Sequence, residues 1–101
     1  MAKTSSIEKN NRRRKMAEQQ APKRKRLKLI AKDKTKTPEE RFAARLKLAE
    51  MPRNGAKVRV RNRCEITGRP RGNYRKLKMC RHELRGLSSQ GRIPGMVKAS
   101  W

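Results

Sequence analysis

Apolar residues are sparse along this chain, and their spacing in the first part predicts helices. After Pro22, the residues Leu27, Ile30 and Ala31 recur at the spacing of one helical face, between basic flanks. The residues before Pro22 have no apolar stripe, but Lys, Arg, Glu and Gln are all compatible with a helix. Segment 1–36 therefore predicts N-terminal basic helices, either two of them or one continuous helix that is kinked at Pro22.

The strongest local signal is a helix start in the middle of the chain. Thr37 is a favourable N-cap, Pro38 suits the first helical position, and Glu40 completes a capping box with Thr37. Pro52 and the Asn-Gly pair that follows it favour a turn. We therefore expect a middle capped helix that ends near Met51.

The segment that contains this helix, residues 37–52, is electrically neutral, with three basic and three acidic side chains. Phe42, Leu46 and Ala49 fall on one face of the predicted helix. A neutral helix with an apolar face is suited to contacts with protein rather than with RNA. We predict a protein-packing role for these three residues, either against a neighbouring protein or against the chain's own remaining apolar residues.

Segment 53–101 predicts a small and less regular module. Basic and apolar residues alternate over residues 57–61, which favours a brief extended segment with one buried and one cationic face. A short helix is expected from Met79 to Leu87, with Leu84 as a further apolar contact. Glycines and prolines interrupt the rest, so the tail should be irregular. The predicted fold class is mostly α with irregular extended segments.

The charge of the chain limits its possible functions more than the pattern of apolar residues does. The chain has 31 Lys and Arg against 8 Asp and Glu, a net charge of +23, and residues 1–36 and 53–101 carry 14 basic side chains each. Such a chain repels itself unless a polyanion neutralises it, and nucleic-acid binding then gains from counterion release. With 33% hydrophobic residues, the chain should order only on its partner. No long apolar run or signal-peptide core is present, so we expect neither a membrane span nor secretion, and the protein is expected to be cytoplasmic or to lie in an organelle.

The two cysteines occupy two of the four ligand positions of a zinc ribbon. Cys64 and Cys80 are each followed three residues later by a residue that is not a thiol, namely Thr67 and Glu83. A zinc ribbon needs four ligands in these places, and His82 is one residue out of position. We therefore expect a zinc-ribbon-like module without a complete metal site, with no bound metal or other cofactor. No catalytic constellation is apparent, so the chain is not expected to be an enzyme.

Several motifs resemble the S-fourteen family of small-subunit ribosomal proteins. They are Arg63-Cys64, the TGRPRG run at 67–72, the YRK triplet at 74–76, and the ending GRIPGMVKASW. The N-terminal half is similar to the longer bacterial form. In shorter family members the four zinc-binding cysteines fall on the two cysteines, Thr67 and Glu83 of this chain, so the resemblance is to the zinc-free branch.

The resemblance implies a structural constituent of the small ribosomal subunit. It implies binding to the 3′ major domain of 16S-type ribosomal RNA in the subunit head, next to proteins of the S-three, S-ten and S-nineteen families. It also implies a role in assembly of the subunit and in the conformation of its decoding region during translation. The alternative from charge alone is a basic protein that condenses duplex DNA without sequence preference.

Arginine and lysine side chains are the expected RNA contacts, because guanidinium groups fork to phosphate oxygens. In the first segment they are Arg12, Arg13, Arg14, Lys23, Arg24, Lys25 and Arg26. In the last segment they are Arg61, Arg63, Arg69, Arg71, Arg75, Lys76, Arg81, Arg85 and Lys98. Tyr74 and Trp101 are aromatic candidates for stacking on an unpaired base, although Tyr74 is equally suited to packing under the loop.

Overall fold

The computed structural model describes residues 2–99, and most of its regular structure is helical. Helix α1 spans Thr4–Lys32, α2 spans Pro38–Glu50, and α3 spans Arg81–Ser89. Lys, Arg, Gln and Ala make up much of α1, and all four favour helices. The predicted class, mostly α with irregular segments, is confirmed over the described part of the chain.

The other regular elements are short. Two 3₁₀ turns follow α2, at Arg53–Gly55 and Lys57–Arg59. Strand β1, Asn73–Tyr74, pairs antiparallel with β2, Met79–Cys80, so that the first residue of β1 lies opposite the last residue of β2. The predicted short helix is α3, but it begins at Arg81 instead of Met79 because the two residues before it belong to the β-ribbon.

Contacts divide the chain into two compact units. We call residues Glu8–Val60 the helical unit, and residues 2–7 with 61–99 the ribbon unit. The division falls inside α1, whose first turn belongs to the ribbon unit. Buried apolar side chains among the described residues are few, and they are Ala17, Ala44, Cys64, Cys80 and Leu84. The organisation into segments 1–36, 37–52 and 53–101 stays a prediction from composition.

Helix α1 runs without interruption through Pro22, so the structure has the single-helix form of the two that the sequence allowed. Pro22 has no backbone N–H, and the carbonyl of Glu18 therefore lacks its usual helical donor. Of the predicted apolar seam, Leu27 and Ala31 are half-buried and Ile30 is exposed. The seam is thus too short to hold α1 in place by apolar packing alone.

The start of α2 is confirmed as the sequence predicts it. Thr37 has extended backbone, and its Oγ1 accepts a hydrogen bond of 3.3 Å from the backbone N–H of Glu40. Pro38 occupies the first helical position, where a missing N–H costs nothing. The helix ends at Glu50, one residue before the expected end at Met51.

The face of α2 that is turned inward differs from the face that is most apolar. Ala44 is buried, and Leu48 and Arg41 are half-buried beside it. Phe42 and Leu46 lie on the other side and are 60% and 49% exposed. Of the two packing roles that the sequence left open, contact with the chain's own apolar residues is therefore not realised for this face.

The prediction of an extended segment over residues 57–61 is wrong. Residues Lys57–Arg59 form a 3₁₀ turn, and Val58 is 92% exposed instead of facing a core. The backbone N–H of Arg59 donates to the Ala56 carbonyl at 3.0 Å, and that of Val60 donates to the Lys57 carbonyl at 3.1 Å. These local bonds satisfy the backbone, whereas an isolated extended segment would need a partner strand.

Candidate nucleic-acid interface

The loop around the two cysteines organises the ribbon unit. The backbone N–H of Cys64 donates to the Arg69 carbonyl at 3.0 Å, and the N–H of Gly68 donates to the Cys64 carbonyl at 2.8 Å. Gly68 has φ of +73°, and a Cβ at this position would lie 2.6 Å from Ile7 Cδ1. Only glycine meets both the backbone and the space requirement, so this tight loop depends on it.

Both cysteines of the loop are free thiols, and both are buried. Burial raises the pKa of Cys64, but hydrogen bonds from the hydroxyl and the N–H of Thr67 and from the backbone N–H groups of Cys80 and Ile66 outweigh it. The net pKa of the Cys64 thiol is about 7. The Thr67 hydroxyl oxygen also lies 3.8 Å from Cys80 Sγ. A threonine thus takes hydrogen-bonding contacts at the place where a ribbon would have a third thiol.

Besides the two cysteines, Glu83 and His82 are possible metal ligands near this loop. Glu83 is half-buried and His82 is exposed, and both line a cleft of about 340 Å³ with Thr67 and Cys80. Within residues 2–99, no three His, Cys, Asp or Glu side chains are grouped closely enough to hold an ion. Of the predicted zinc-ribbon-like module, the structure shows two paired strands and a tight loop, and its likeness to a zinc ribbon stays a prediction.

Most predicted RNA contacts of the ribbon unit lie on its surface. Arg63 is the exception, because it is half-buried and its Nη1 donates to the Gly68 carbonyl at 2.9 Å, which supports the loop from inside. Tyr74 is 53% exposed, so it does not pack under the loop. Trp101 lies outside the described residues. The exposed basic candidates are Arg61, Arg69, Arg71, Arg75, Lys76, Arg81, Arg85 and Lys98.

Asn73 is a loop residue that the sequence analysis did not identify. Its Nδ2 donates to the Asn62 carbonyl at 3.1 Å and to the Arg69 carbonyl at 2.7 Å. The side chain therefore ties together three stretches of the ribbon unit around exposed Arg69 and Arg71. Its position beside Gly72 was the available signal, since asparagine is frequent where turns need side-chain hydrogen bonds.

In the helical unit, the predicted contacts divide into exposed residues and residues that already have internal partners. The exposed ones are Arg12, Arg14, Lys23, Lys25 and Arg26. Arg13 and Arg24 are half-buried: Arg13 Nε donates to Asn54 Oδ1 at 3.3 Å, and Arg24 Nη2 donates to the Pro52 carbonyl at 2.7 Å. Both arginines join α1 to the turn after α2.

A basic groove of about 410 Å³ lies along α1 in the helical unit. Its apolar lining comes from Ala17, Ala21, Leu29, Ala56 and Val58, and its basic residues are Arg24, Lys25, Lys28, Lys32 and Lys57. Cations set beside an apolar wall produce a stronger field than the same cations in open water. Lys28, Lys32 and Lys57 come together only through the fold, so the sequence pattern did not single them out as candidates.

Little of the positive charge is compensated within the chain. Across residues 2–99, the ion pairs are Lys36 with Glu40 at 3.6 Å and Lys78 with Glu65 at 3.3 Å, and all four side chains are largely exposed. Exposed pairs of this kind contribute little stability. The surface is therefore suited to a polyanion.

No helix in the described part is both long and apolar enough to cross a membrane.

Comparison with known proteins gives a consistent result over the full length. The sequence profile of the family described as Ribosomal protein S14p/S29e matches residues 47–100, more than half of the chain. The small ribosomal subunit protein uS14 of Rhodospirillum centenum is 68% identical over 101 residues, and those of a Bradyrhizobium species and Mesorhizobium japonicum are 67% and 65% identical. Each alignment covers 100% of this chain and 100% of the relative.

Proposed function

Because the chain belongs to the S-fourteen family of ribosomal proteins, we propose that it binds 16S-type ribosomal RNA in the head of the small subunit as a structural constituent. Family membership assigns the chain to the ribosome of the bacterial cytoplasm, with ribosomal RNA and ribosomal proteins as its partners. The specific RNA, the position in the head and the absence of catalysis are parts of the proposal.

The uncompensated charge on both units supports RNA binding more than any other observation. The net charge is +23, and the described residues hold two ion pairs between them. Each phosphate that a Lys or Arg neutralises releases condensed counterions, so the charge that destabilises the free chain favours the complex. Arginine side chains add geometry, because their forked donors match two phosphate oxygens.

The ribbon unit is suited to holding the folded RNA in a defined conformation. Its loop is fixed by Gly68, by Asn73 and by the internal hydrogen bond of Arg63. Exposed arginines such as Arg69 and Arg71 project from this fixed loop. We propose that this unit contacts the 3′ major domain and thereby supports subunit assembly and the conformation of the decoding region.

The outer face of α2 supports a second kind of contact. Phe42 and Leu46 are exposed on the one electrically neutral segment, so this face offers apolar surface without an excess of cations. A protein neighbour in the subunit head would bury it, and we propose members of the S-three, S-ten and S-nineteen families as the neighbours. Phosphate binding at this face has no comparable support.

Competition binding tests the proposed function. The full chain would be titrated with a transcript of the 3′ major domain and with duplex DNA of the same length, at a moderate and fixed salt concentration. We expect clearly tighter binding to the transcript, since the ribbon unit offers fixed geometry in addition to charge. Equal affinity for both nucleic acids would favour the DNA-condensing alternative and would contradict the proposal.

A further inference from the structure

One side-chain oxygen in the helical unit holds two arginines together. Asn54 Oδ1 accepts a hydrogen bond from Arg13 Nε at 3.3 Å and another from Arg59 Nη1 at 3.0 Å. Arg13 comes from α1, whereas Arg59 ends the second 3₁₀ turn. The two guanidinium groups are 46 positions apart in sequence and share one acceptor.

This arrangement is unfavourable for the free chain in electrostatic terms. Two guanidinium groups that share one acceptor lie close to each other, so their like charges repel. The acceptor is a neutral amide, so it aligns the two charges without cancelling either. Neither arginine has a carboxylate partner within the described residues. The pair therefore favours an anion from outside the chain.

The turn that carries Asn54 is fixed against α1 by several contacts. Within the turn, the Gly55 N–H donates to the Pro52 carbonyl at 3.1 Å, and Arg24 Nη2 donates to the same carbonyl at 2.7 Å. Gly55 itself is buried against the Gln20 side chain. Arg13, Gln20 and Arg24 lie on one stripe of α1, because steps of seven and eleven residues return to nearly the same face. The amide of Asn54 is thus placed by the fold toward Arg13.

We propose that Arg13 and Arg59 bind a single phosphate of the RNA backbone together, and that Asn54 is the residue that positions them. We call these three residues the Asn54 clamp. An arginine has five N–H donors, so after one bond to Asn54 each guanidinium keeps donors for two phosphate oxygens. The inference rests on the proposed RNA-binding function and adds a specific site to it.

An RNA backbone fits the clamp better than an acidic protein segment. The groove in the same unit brings Lys28, Lys32 and Lys57 together with Arg24 along α1. A chain of regularly spaced phosphates can occupy the clamp and this groove in succession, whereas a single carboxylate would leave the groove's cations uncompensated. The alternative ligand, a carboxylate of a neighbouring protein, is an outcome of the test below.

A double-mutant cycle tests whether the two arginines act on one phosphate. The full chain with Arg13→Ala, Arg59→Ala or both would be titrated with the 3′ major-domain transcript across a salt series. If the two arginines share one phosphate, the double variant should lose less affinity than the two single variants predict together. We expect the product of the two single fold-losses to exceed the fold-loss of the double variant by at least about threefold. We expect the slope of log affinity against log salt to fall by about 0.7–0.9 in the double variant, the value for one phosphate, whereas two separate contacts would give about 1.4–1.8.

Asn54→Ala tests the positioning role directly. This substitution should remove the coupling between Arg13 and Arg59. In a chain that carries Asn54→Ala, the affinity losses of Arg13→Ala and Arg59→Ala should therefore multiply in the double variant. Asn54→Asp should weaken RNA binding further than Asn54→Ala, because its carboxylate keeps the arginines together but neutralises one of the two charges. Asn11→Ala is the matched control, since Asn11 is an exposed asparagine on α1, the helix that carries Arg13. Arg13→Ala with Arg26→Ala is the control pair, about 20 Å apart along α1, and should be multiplicative.

The charge-preserving pair Arg13→Lys and Arg59→Lys separates the clamp from a general effect on folding. It should lower affinity while leaving the salt slope unchanged, because lysine keeps the charge and loses the forked geometry. Multiplicative losses in the first cycle, or an Asn54→Ala variant that behaves like Asn11→Ala, would overturn the clamp. So would variants that bind naked transcript normally and fail only with protein partners, which would indicate a carboxylate ligand. Failure of the unmodified chain to prefer the transcript would instead contradict the proposed function.

Discussion

Single residues in the ribbon unit have roles that their type alone does not reveal. Thr67 comes three residues after Cys64, and its hydroxyl and its N–H donate hydrogen bonds to the sulfur of Cys64. Gly68 follows it in a left-handed conformation that closes the loop against Ile7. The loop is therefore held by hydrogen bonds and backbone shape, and both can be tested by substitution.

Thr67→Val should raise the pKa of Cys64 from about 7 toward the ordinary value of 9.0. Valine keeps the shape of threonine but lacks the hydroxyl donor, so the thiolate loses one hydrogen bond while the cost of burial remains. The rate at which iodoacetamide alkylates Cys64 in the RNA-bound chain, followed by mass spectrometry from pH 6 to 10, reports this change. Thr35→Val, in the helical unit, is the control, and identical pH midpoints for both variants would contradict the assignment.

The low pKa of Cys64 also has a consequence for stability. Between about pH 7 and pH 9.0 the folded chain has lost this proton, whereas the unfolded chain still holds it. The free energy of unfolding should therefore rise with pH in this window, and this contribution should be lost as the pH falls through about 7. This pH dependence can be measured as the protease resistance of the RNA-bound chain at about pH 7 and at pH 9.0. The Cys64→Ser variant, which lacks the thiol, is the comparison.

Gly68→Ala should destabilise the ribbon unit more than Gly95→Ala. Both glycines have positive φ, +73° and +76°, so both substitutions carry a backbone cost of about 1–2 kcal/mol. A Cβ at Gly68 would in addition lie 2.6 Å from Ile7 Cδ1, whereas nothing lies within 4 Å at Gly95. We expect at least about a tenfold loss of RNA affinity for Gly68→Ala, and equal losses in both variants would show that the contact with Ile7 is unimportant.

At the scale of elements, α2 shows how a helix can be correctly predicted and its orientation missed. The capping signal at Thr37 and Pro38 is local, and it needs no knowledge of the fold. Which face turns inward depends on neighbours that come from elsewhere in the sequence. The small Ala44 allows close packing, and the bulkier Phe42 remains outside. The most apolar face therefore stays exposed in the structure.

Phe42→Ala should leave RNA binding of the isolated chain nearly unchanged but weaken its assembly with head proteins. The ring is 60% exposed, so its removal costs the chain little by itself. If a neighbouring protein buries it fully, the loss should be about 3 kcal/mol. Retention in reconstituted small subunits, compared with the exposed control Lys47→Ala, measures this. A large loss of affinity for naked transcript would assign the face to RNA instead.

For the molecule as a whole, the sequence predicted what depends on local signals and on charge. The start of α2, the helix near Leu84 and the excess of cations all follow from short windows. The 3₁₀ turn at Lys57–Arg59 was missed, because the same alternation also fits a strand when no partner is specified. The contact of Asn54 with Arg13, which is 41 positions away, had no signal in the sequence, since it depends on how α1 packs against the later turns.

The free chain should lack a cooperative fold at low salt and should gain helix when RNA is added. Of the five buried apolar side chains among the described residues, four are alanine or cysteine and one is leucine, so apolar burial offsets little of the entropy of ordering. Circular dichroism of the chain with and without transcript, and thermal unfolding of the free chain, test this. A sharp two-state transition in the absence of RNA would show that the core is sufficient.

The two units should contribute differently to RNA recognition. Arg12, Arg14 and Arg26 are exposed on α1 and offer mostly charge, which does not distinguish one sequence from another. Neutralising these three should weaken binding to every RNA and reduce the salt slope by about 2–3. Arg69, Arg71 and Arg75 project from the ribbon unit, whose loop is fixed by Gly68 and Asn73. Neutralising these three ribbon-unit arginines should reduce the preference for the correct transcript over an unrelated RNA. If each triple variant loses equal affinity for both RNAs, the two units do not differ in their contribution to recognition.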